Sequence, residues 1–344
     1  MTEIPAADAP PRPRIRNITE LARLAGVSPG TVSRALAGKA LVNPVTRDRI
    51  QTLARDHGFH LNQMASRLRT QRSGVIGIVF PLGHESRQHI SDPFFMTLFG
   101  YLADELTESG HDIMLSRVIP GDAQWLDRIV DSGMLDGALV IGQSDQSAVI
   151  DAVAARYLPL VVWGSHRPGQ IHCTVGVDNR LGGRLAAERL LAIGKTRLAF
   201  LGETRGPEIA DRLSGVRDAI HGRANVTLAV MPTPLSSEAV AEQVAAQVAE
   251  LGDAIDGIVA ASDVIAMMVL RVLHERGMRV PDQIAVVGFD DLPLATRTVP
   301  QLTTVRQDIA SGAKAMVTAL MQRIAGHPAP ATILQPELVI RESA

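Results

Sequence analysis

Apolar positions near the N-terminus recur every three or four residues, which is the spacing of an amphipathic helix. The first apolar face consists of Ile18, Leu21, Ala22 and Leu24–Ala25. Asn17 precedes it and Glu20 follows three residues later, which is the spacing of a capping box. Gly26 comes next, and glycine accepts the left-handed conformation that ends a helix. The pattern therefore predicts a short capped helix that ends at a tight turn.

Two more helices with the same signals follow. Ser28 and Asn43 are good N-caps, and Pro29 and Pro44 stand at the first helical positions, where a missing N–H costs nothing. The buried positions are expected to be Val32, Ala35 and Leu36 in the second helix and Ile50, Leu53 and Ala54 in the third. Gly58 follows the third helix. This order is typical of a helix-turn-helix DNA-binding domain; a three-helix bundle without that function is the alternative.

From residue 74 onward, short apolar runs alternate with helical patterns. "GVIGIVFP", "DIMLSRV", "DGALVIG" and "LPLVVWG" are typical of strands, and "FFMTLFGYLADELTESG" is typical of an amphipathic helix. The pattern then restarts at "RLAFLG", where "DGIVAASD" resembles "DGALVIGQSD" and "IAVVGFDD" takes the place of "LPLVVWGS". We therefore expect two similar α/β halves with parallel sheets and a ligand cleft at the carboxyl ends of their strands.

Charge separates the two parts of the chain. Residues 1–72 contain 12 Lys and Arg against 5 Asp and Glu, whereas the remainder contains 22 against 31. A basic segment on an acidic body indicates a polyanion partner for the first part alone. A solvated basic face is the alternative.

The ordered motifs of the first part resemble a known family. They are A-x-x-A-G-V-S-x-x-T-V-S-R-x-L, V-x-x-x-T-R-x-x-I, N-x-x-A-x-x-L-R and G-V-I-G. They resemble the N-terminal region of the lactose-repressor (LacI/GalR) family of transcriptional regulators. The resemblance implies a disordered arm (1–13), a three-helix helix-turn-helix domain (14–60) and a hinge helix (61–73). The core that follows, over 74–344, is expected to resemble periplasmic binding proteins, with two subdomains of doubly wound parallel sheets. The N-subdomain is expected over about 74–176 plus 306–332, and the C-subdomain over about 177–305 plus 333–344.

In this family the second helix enters the major groove of DNA. The resemblance implies DNA contacts at Asn17, Ser28, Pro29, Gly30, Thr31, Ser33, Arg34 and Thr46. Pro29, Gly30 and Arg34 are the base-reading positions. Only Arg34 can form a bidentate hydrogen bond, which suits guanine. Ala37 departs from the asparagine that is frequent in the family.

The hinge "NQMASRLRTQRSG" is expected to fold on DNA and to enter the minor groove as a pair from two subunits. Its implied DNA-contacting residues are Asn62, Ala65, Leu68 and Arg69. By the resemblance, Leu68 would be the apolar wedge between base pairs, and Arg69 would contact phosphate. A partly helical exposed linker is the alternative.

The resemblance also implies an effector site in the core. The expected effector-binding residues are Phe94, Phe95, Trp163, Arg212, Ser262 and Asp290. Asp92 replaces the usual asparagine, and Ser262 replaces an amide. Arg212 and Asp290 would hold hydroxyl groups of the effector. Trp163 is suited to stacking on a sugar ring, and an ordinary core position is an equal alternative.

Other classes of function find little support in the sequence. "LAIGKTRLAFLG" lacks the first glycine of a phosphate-binding loop, and no histidine spacing is typical of a metal site. We expect no enzyme activity, cofactor or metal. With one cysteine, no signal peptide and no long apolar run, we expect a cytoplasmic protein without membrane contact.

These observations predict a repressor of a sugar-utilisation operon. Its expected partners are a palindromic DNA operator, a small sugar that releases it, and a second copy of itself in a homodimer. Because "ELVIRESA" follows soon after the last predicted strand, we expect a dimer and not a tetramer joined by an added helix. A neutral sugar is preferred to a nucleobase because Arg212, Asp290 and Trp163 offer a donor, an acceptor and a stacking face. A corepressor-dependent or dual regulator that responds to a nucleobase or another metabolite is the alternative, and a secreted binding protein explains only the cleft.

Overall fold

Three short helices form the N-terminal part of a computed structural model that describes residues 15, 17–36, 41–59, 72–82, 89–143, 145–234 and 240–344. The chain divides into two units, Met1–Arg72 and Ser73–Ala344. The helices of the first unit are α1 (Ile18–Ala25), α2 (Pro29–Leu36) and α3 (Pro44–Asp56). Leu21, Val32 and Ile50, one from each helix, are fully buried in a common core.

The caps explain where these helices begin and end. Asn17 accepts a hydrogen bond from the Glu20 amide (2.9 Å) and donates one to the Glu20 carboxylate (3.2 Å), so the predicted capping box is confirmed. Gly26 ends α1 with a φ of 64°. The Ser28 hydroxyl accepts from the Thr31 amide at the start of α2. The expectation for Leu24 was wrong: its side chain is 52% exposed, because it projects from α1 away from the core.

The second unit contains two six-stranded sheets. The strands of the first sheet are β1 (Val75–Pro81), β2 (Asp112–Val118), β3 (Gly137–Ile141), β4 (Leu160–Trp163), β5 (Cys173–Val177) and β11 (Thr332–Leu334). The strands of the second sheet are β6 (Arg197–Leu201), β7 (Thr227–Met231), β8 (Gly257–Ala260), β9 (Ala285–Asp290), β10 (Thr303–Arg306) and β12 (Glu337–Val339). Their spatial orders correspond: β2-β1-β3-β4-β5-β11 and β7-β6-β8-β9-β10-β12. All pairs are parallel except β10 with β12.

α-Helices connect most of the successive parallel strands; the β4–β5 and β9–β10 connections lack one. The helices of the second unit are α4 (Pro93–Glu108), α5 (Trp125–Val130), α6 (Ser147–Ala154), α7 (Asn179–Ala192), α8 (Pro207–Ile220), α9 (Val240–Leu251), α10 (Asp263–Glu275) and α11 (Ile309–Ile324). Within the described parts of the chain, no helix is long and apolar enough to cross a membrane.

The predicted duplication is confirmed by the equivalent places of its strands. β3 and β8, which carry the similar "DGALVIG" and "DGIVAASD" sequences, each lie between the first and fourth strands of their sheet. The chain crosses between the sheets three times: from β5 to α7, from β10 to α11, and from β11 to β12. In each half, parallel strands bring their carboxyl ends to one edge, where ligands of open α/β sheets bind.

Candidate functional sites

The start of α2 presents a polar, exposed surface. Ser28, Pro29, Gly30 and Arg34 are exposed, whereas Thr31 is half-buried. The Ser28 and Thr31 hydroxyls lie 2.9 Å apart. Arg34 donates from Nε to the Gly30 carbonyl at 3.1 Å, so its side chain lies back along the helix over the position that has no side chain. The glycine thus leaves room for the arginine at the helix start.

The remaining predicted DNA-binding residues divide into two groups. Asn17 caps α1 with its side-chain amide, and Ser33 and Thr46 are half-buried on α2 and α3. Asn62, Ala65, Leu68 and Arg69, together with the hinge helix and Ala37, lie outside the described residues. Their predicted contacts remain predictions.

A cavity that is partly open to solvent lies in the second unit; its empty space, including the open part, is about 780 Å³. Both halves contribute side chains to it: Phe94, Phe95 and Trp163 belong to elements of the first sheet, and Arg212 and Asp290 to those of the second. All six predicted effector-binding residues line this one cavity, which is lined by Pro81, Leu82, Asp92, Phe94, Phe95, Ile141, Gly142, Trp163, Gly206, Glu208, Ile209, Arg212, Ser262, Asp290 and Gln307.

Aromatic rings form one wall of the cavity. Asp92 accepts from the Phe94 amide (2.9 Å) and caps α4, which fixes Phe94 and Phe95 in the first turn of that helix. The ring centroids of Phe94 and Trp163 are 5.9 Å apart and tilted by 55°. Trp163 is only 5% exposed, and a Cβ on Gly312 would collide with its ring. Trp163 is thus part of the core and of the cavity wall together.

Arg212, which the second half of the unit contributes to the cavity, is held in place by three neighbouring residues. Its Nε donates to the Asn179 side-chain oxygen (2.8 Å), and its Nη1 donates to the Ala261 carbonyl. Its guanidinium carbon lies 3.6 Å from the Phe289 ring centroid. The Asp290 carboxylate is 3.8 Å from Nη1. Burial lowers the pKa of Arg212, but a guanidinium stays protonated. This positive group is therefore fixed before any ligand arrives.

Asp290 ends β9 and turns its carboxylate into the cavity. It accepts a hydrogen bond from Gln307 and is buried. Burial raises its pKa to about 7; the Arg212 charge opposes the shift and Asp92 adds to it. Its φ of 127° is rare for a residue with a side chain. Asp291 faces elsewhere, with ion pairs to Arg306 and Arg341, so the adjacent carboxylates do not form an acid–base pair.

Ser262 lines the cavity while serving a helix. Its hydroxyl accepts from the Ile265 amide at 3.3 Å and caps α10. The next residue, Asp263, is fully buried and accepts from the Thr304 hydroxyl and the Leu292 amide (2.8 Å). Burial, with the charge of Asp290, raises its pKa. Asp263 thus ties together the segments that follow β8 and β9.

Besides Asp92, two polar residues of the cavity were not among the predicted effector-binding residues. Glu208 lies in the first turn of α8 and accepts from the Ser165 amide at 3.3 Å. Burial raises its pKa. Gln307 follows β10 and donates to Asp290. Among the described residues, no group of three or more His, Cys, Asp or Glu is arranged to hold a metal. The cavity can bind a small ligand through aromatic contacts and hydrogen bonds.

Comparison with known proteins agrees with both units. Residues 17–62 match the family described as bacterial regulatory proteins, lacI family, and residues 187–344 match the periplasmic binding protein-like domain. The HTH-type transcriptional regulator MalR of Streptomyces coelicolor is 28% identical over 339 residues, which cover 95% of this chain and 96% of that protein.

Two solved structures are similar over nearly the whole chain. The transcriptional regulator CelR–cellobiose complex has a TM-score of 0.67 at 27% identity, covering 96% of this chain and 100% of that one. The lac repressor dimer bound to operator has a TM-score of 0.82 at 22% identity, covering 96% and 99%, and this likeness concerns the fold. The two family matches together cover more than half of the chain, in the order in which its two units occur. Residues 17–62 therefore form a domain of the lacI family of bacterial regulatory proteins, and the chain as a whole is similar to HTH-type transcriptional regulators.

Proposed function

We propose that this protein is a repressor that leaves a palindromic DNA operator when a small sugar binds the cavity of its second unit. The observation that carries this proposal is the cavity itself, in which both α/β halves supply side chains beside a fixed arginine and a buried aspartate. A ligand that contacts both halves stabilises one arrangement of them over another.

The lining of the cavity supports a sugar as the ligand. Sugars combine apolar C–H faces with hydroxyl groups that donate and accept hydrogen bonds. Phe94 and Trp163 supply rings for the first, and Asp290 and Arg212 supply an acceptor and a donor for the second. CelR, whose solved complex contains cellobiose, is similar over the same length of chain.

The N-terminal unit supports operator binding. Arg34 is an exposed side chain on α2 that can form a bidentate hydrogen bond with guanine, whereas Pro29 and Gly30 contribute shape alone. We propose that Thr31, Ser33 and Thr46 contact phosphate, which fixes register without reading sequence. We propose that two chains bind as a homodimer, one to each half of the operator.

A sugar screen followed by operator titration tests this function. Mono- and disaccharides that raise the melting temperature of the core are added to the protein with its operator, selected from random DNA. At least one hit is expected to weaken operator binding by roughly 5–150-fold, the usual range of allosteric coupling. Arg34→Ala serves as the control: it should lose sequence preference at one base pair of each half-site yet keep sugar binding.

The same experiment distinguishes the sugar-released repressor from the alternative regulators. A ligand that tightens operator binding would indicate a corepressor, and a nucleobase that binds in place of every sugar would replace the effector class. A sugar that binds tightly and leaves operator affinity unchanged would refute the proposed coupling.

A further inference from the structure

Acidic groups outnumber basic groups around the cavity. Its described lining contains three carboxylates, from Asp92, Glu208 and Asp290, and one guanidinium, from Arg212. The neutral sugar expected from the sequence rests on Arg212, Asp290 and Trp163, of which only the first two are charged. Glu208 adds a negative group that this expectation leaves out.

The single positive charge is directed mainly to the protein. Arg212 donates to Asn179 and to the Ala261 carbonyl, and its flat face covers Phe289. Its distance of 3.8 Å from Asp290 is longer than a direct hydrogen bond. Glu208 lies on the same helix, accepts a hydrogen bond from the Ser165 amide, and is partly compensated by the Arg212 charge. The cavity is therefore unfavourable for an anionic ligand.

The aromatic wall of the cavity also favours a cationic ligand over an anionic one. The faces of aromatic rings carry negative electrostatic potential and attract cations, with tryptophan the strongest. Phe94, Phe95 and Trp163 are adjacent, with centroids 6.0 Å apart for the phenylalanine pair and 5.9 Å for Phe94 and Trp163. Rings and carboxylates around one cavity are the chemistry that binds an ammonium group.

We propose that the effector is a polyhydroxylated molecule that carries a protonated amino group, as an amino sugar does, with Glu208 and Asp290 as the carboxylates that select it. This proposal rests on the proposed function and narrows its ligand class. The hydroxyl groups bind Arg212 and Asp290, and the ammonium group lies between the carboxylates and the rings. A carboxylate or phosphate on the ligand is excluded by repulsion.

The protonation behaviour of the cavity agrees with this assignment. Burial raises the pKa of Glu208 and that of Asp290, and Asp92 raises the latter further. Asp290 also faces Arg212, Gln307 and the neighbouring Asp263, of which only the last adds negative charge. A bound ammonium group compensates these carboxylates, so its binding is expected to release protons and to be favoured where both are ionised.

Matched ligands test the proposal on the full-length protein. Glucose, galactose and mannose are compared by calorimetry with their 2-amino-2-deoxy forms, their N-acetylated forms and their uronic acids. At least one amine is expected to bind about tenfold more tightly than its neutral partner. This preference should be larger at about pH 7 than at about pH 5.5, because the carboxylates are then more fully ionised while most of the amine is still protonated.

Variants identify the carboxylates. Glu208→Gln keeps the shape and removes the charge, and should reduce the ratio of amine affinity to neutral-sugar affinity several-fold. Asp92→Asn keeps an N-cap residue and should reduce the preference less. Asp218→Asn is the matched control, because this residue lies on the same helix but pairs with the exposed Arg180 outside the cavity.

The possible results distinguish the two proposals. A neutral sugar that binds without any preference for its amine, or a uronic acid that binds best, overturns the charge assignment and leaves the sugar-responsive function standing. An unchanged preference in Glu208→Gln removes this residue from the site. Failure of every member of the panel, neutral and charged, counts against both proposals.

Discussion

At the residue scale, two adjacent aspartates have opposite environments. Asp290 is buried, accepts hydrogen bonds from the Gln307 side chain and the Asp263 amide, and lies 3.8 Å from Arg212, whereas Asp291 forms ion pairs with Arg306 and Arg341. A carboxyl group whose pKa is raised to about 7 by burial contributes stability at low pH, and this contribution is lost as pH rises toward 7. The unfolded chain titrates lower, near the ordinary value of about 3.9.

We therefore predict that the folding stability of the Asp290→Asn variant, relative to that of the parent protein, increases with rising pH. Between about pH 5 and pH 8 its stability relative to the parent should increase by on the order of 2–3 kcal/mol, because the parent must ionise a buried group. Urea unfolding of the core at both pH values measures this. Asp291→Asn is the control and should destabilise at both, since it breaks two ion pairs. A relative stability of Asp290→Asn that does not vary with pH would contradict the prediction.

Which cavity residues the sequence reveals depends on where their signal lies. Arg212 and Asp290 stand in local motifs and could be named in advance. Gln307 reaches Asp290 because Arg306 lies opposite Asp290 in the pairing of β10 with β9, and no local pattern reports that register. Glu208 occupies the first turn of a helix, where acidic residues are common for their effect on the helix dipole. Its place in the cavity follows from tertiary packing alone.

At the scale of elements, two glycines set the contact between α7 and α8. A Cβ on Gly183 would lie 1.9 Å from the Arg212 carbonyl oxygen, and one on Gly215 would lie 1.9 Å from the Arg180 carbonyl oxygen. Each glycine thus admits the backbone of the other helix. The close approach also brings Asn179, at the start of α7, to the guanidinium of Arg212.

Gly183→Ala is expected to push these helices apart and to move Arg212 in the cavity. We expect a loss of stability of about 1–3 kcal/mol, the usual cost of overpacking, and weaker sugar binding. Thermal unfolding and calorimetry measure the two effects. Gly100→Ala is the matched control: it lies inside α4 with no atom near its added Cβ, so it should be neutral or stabilising. Equal behaviour of the two variants would show that the contact does not position Arg212.

The sequence predicts the helices and strands better than it predicts how they pack against each other. Alternating apolar runs predicted the strands, and cap residues predicted the ends of the first three helices, because both signals are local. Leu24 shows the limit: an apolar residue beside the buried face of α1 is mostly exposed, since the spacing alone does not fix the width of that face. The paired glycines of "RLGGRL" and Gly215 are all visible in the sequence. The sequence does not show that the helices that contain them pack against each other.

At the scale of the whole molecule, the repeated sheet order makes the core a pair of similar halves joined by three crossings of the chain. Side chains from both halves line one cavity. The affinity of a ligand that contacts both halves therefore depends on how the halves are arranged. Any free energy that operator DNA contributes to one arrangement must appear, with the same magnitude, in the affinity for the ligand. Coupling between the two functions is thus measurable from either side.

The final prediction concerns the assembly that reads the operator. We expect a homodimer by light scattering, and two chains on each operator, because each half-site of a palindrome requires one α2 helix. The half-sites should lie in successive major grooves, so that inserting about five base pairs between them places them on opposite faces of the duplex and abolishes tight binding, whereas inserting about ten restores part of it. Operator titrations with these spacers, read with and without the releasing sugar, provide the measurement. A stable monomer, a tetramer, or an affinity indifferent to the spacer would show that the chain does not bind DNA as a two-fold pair.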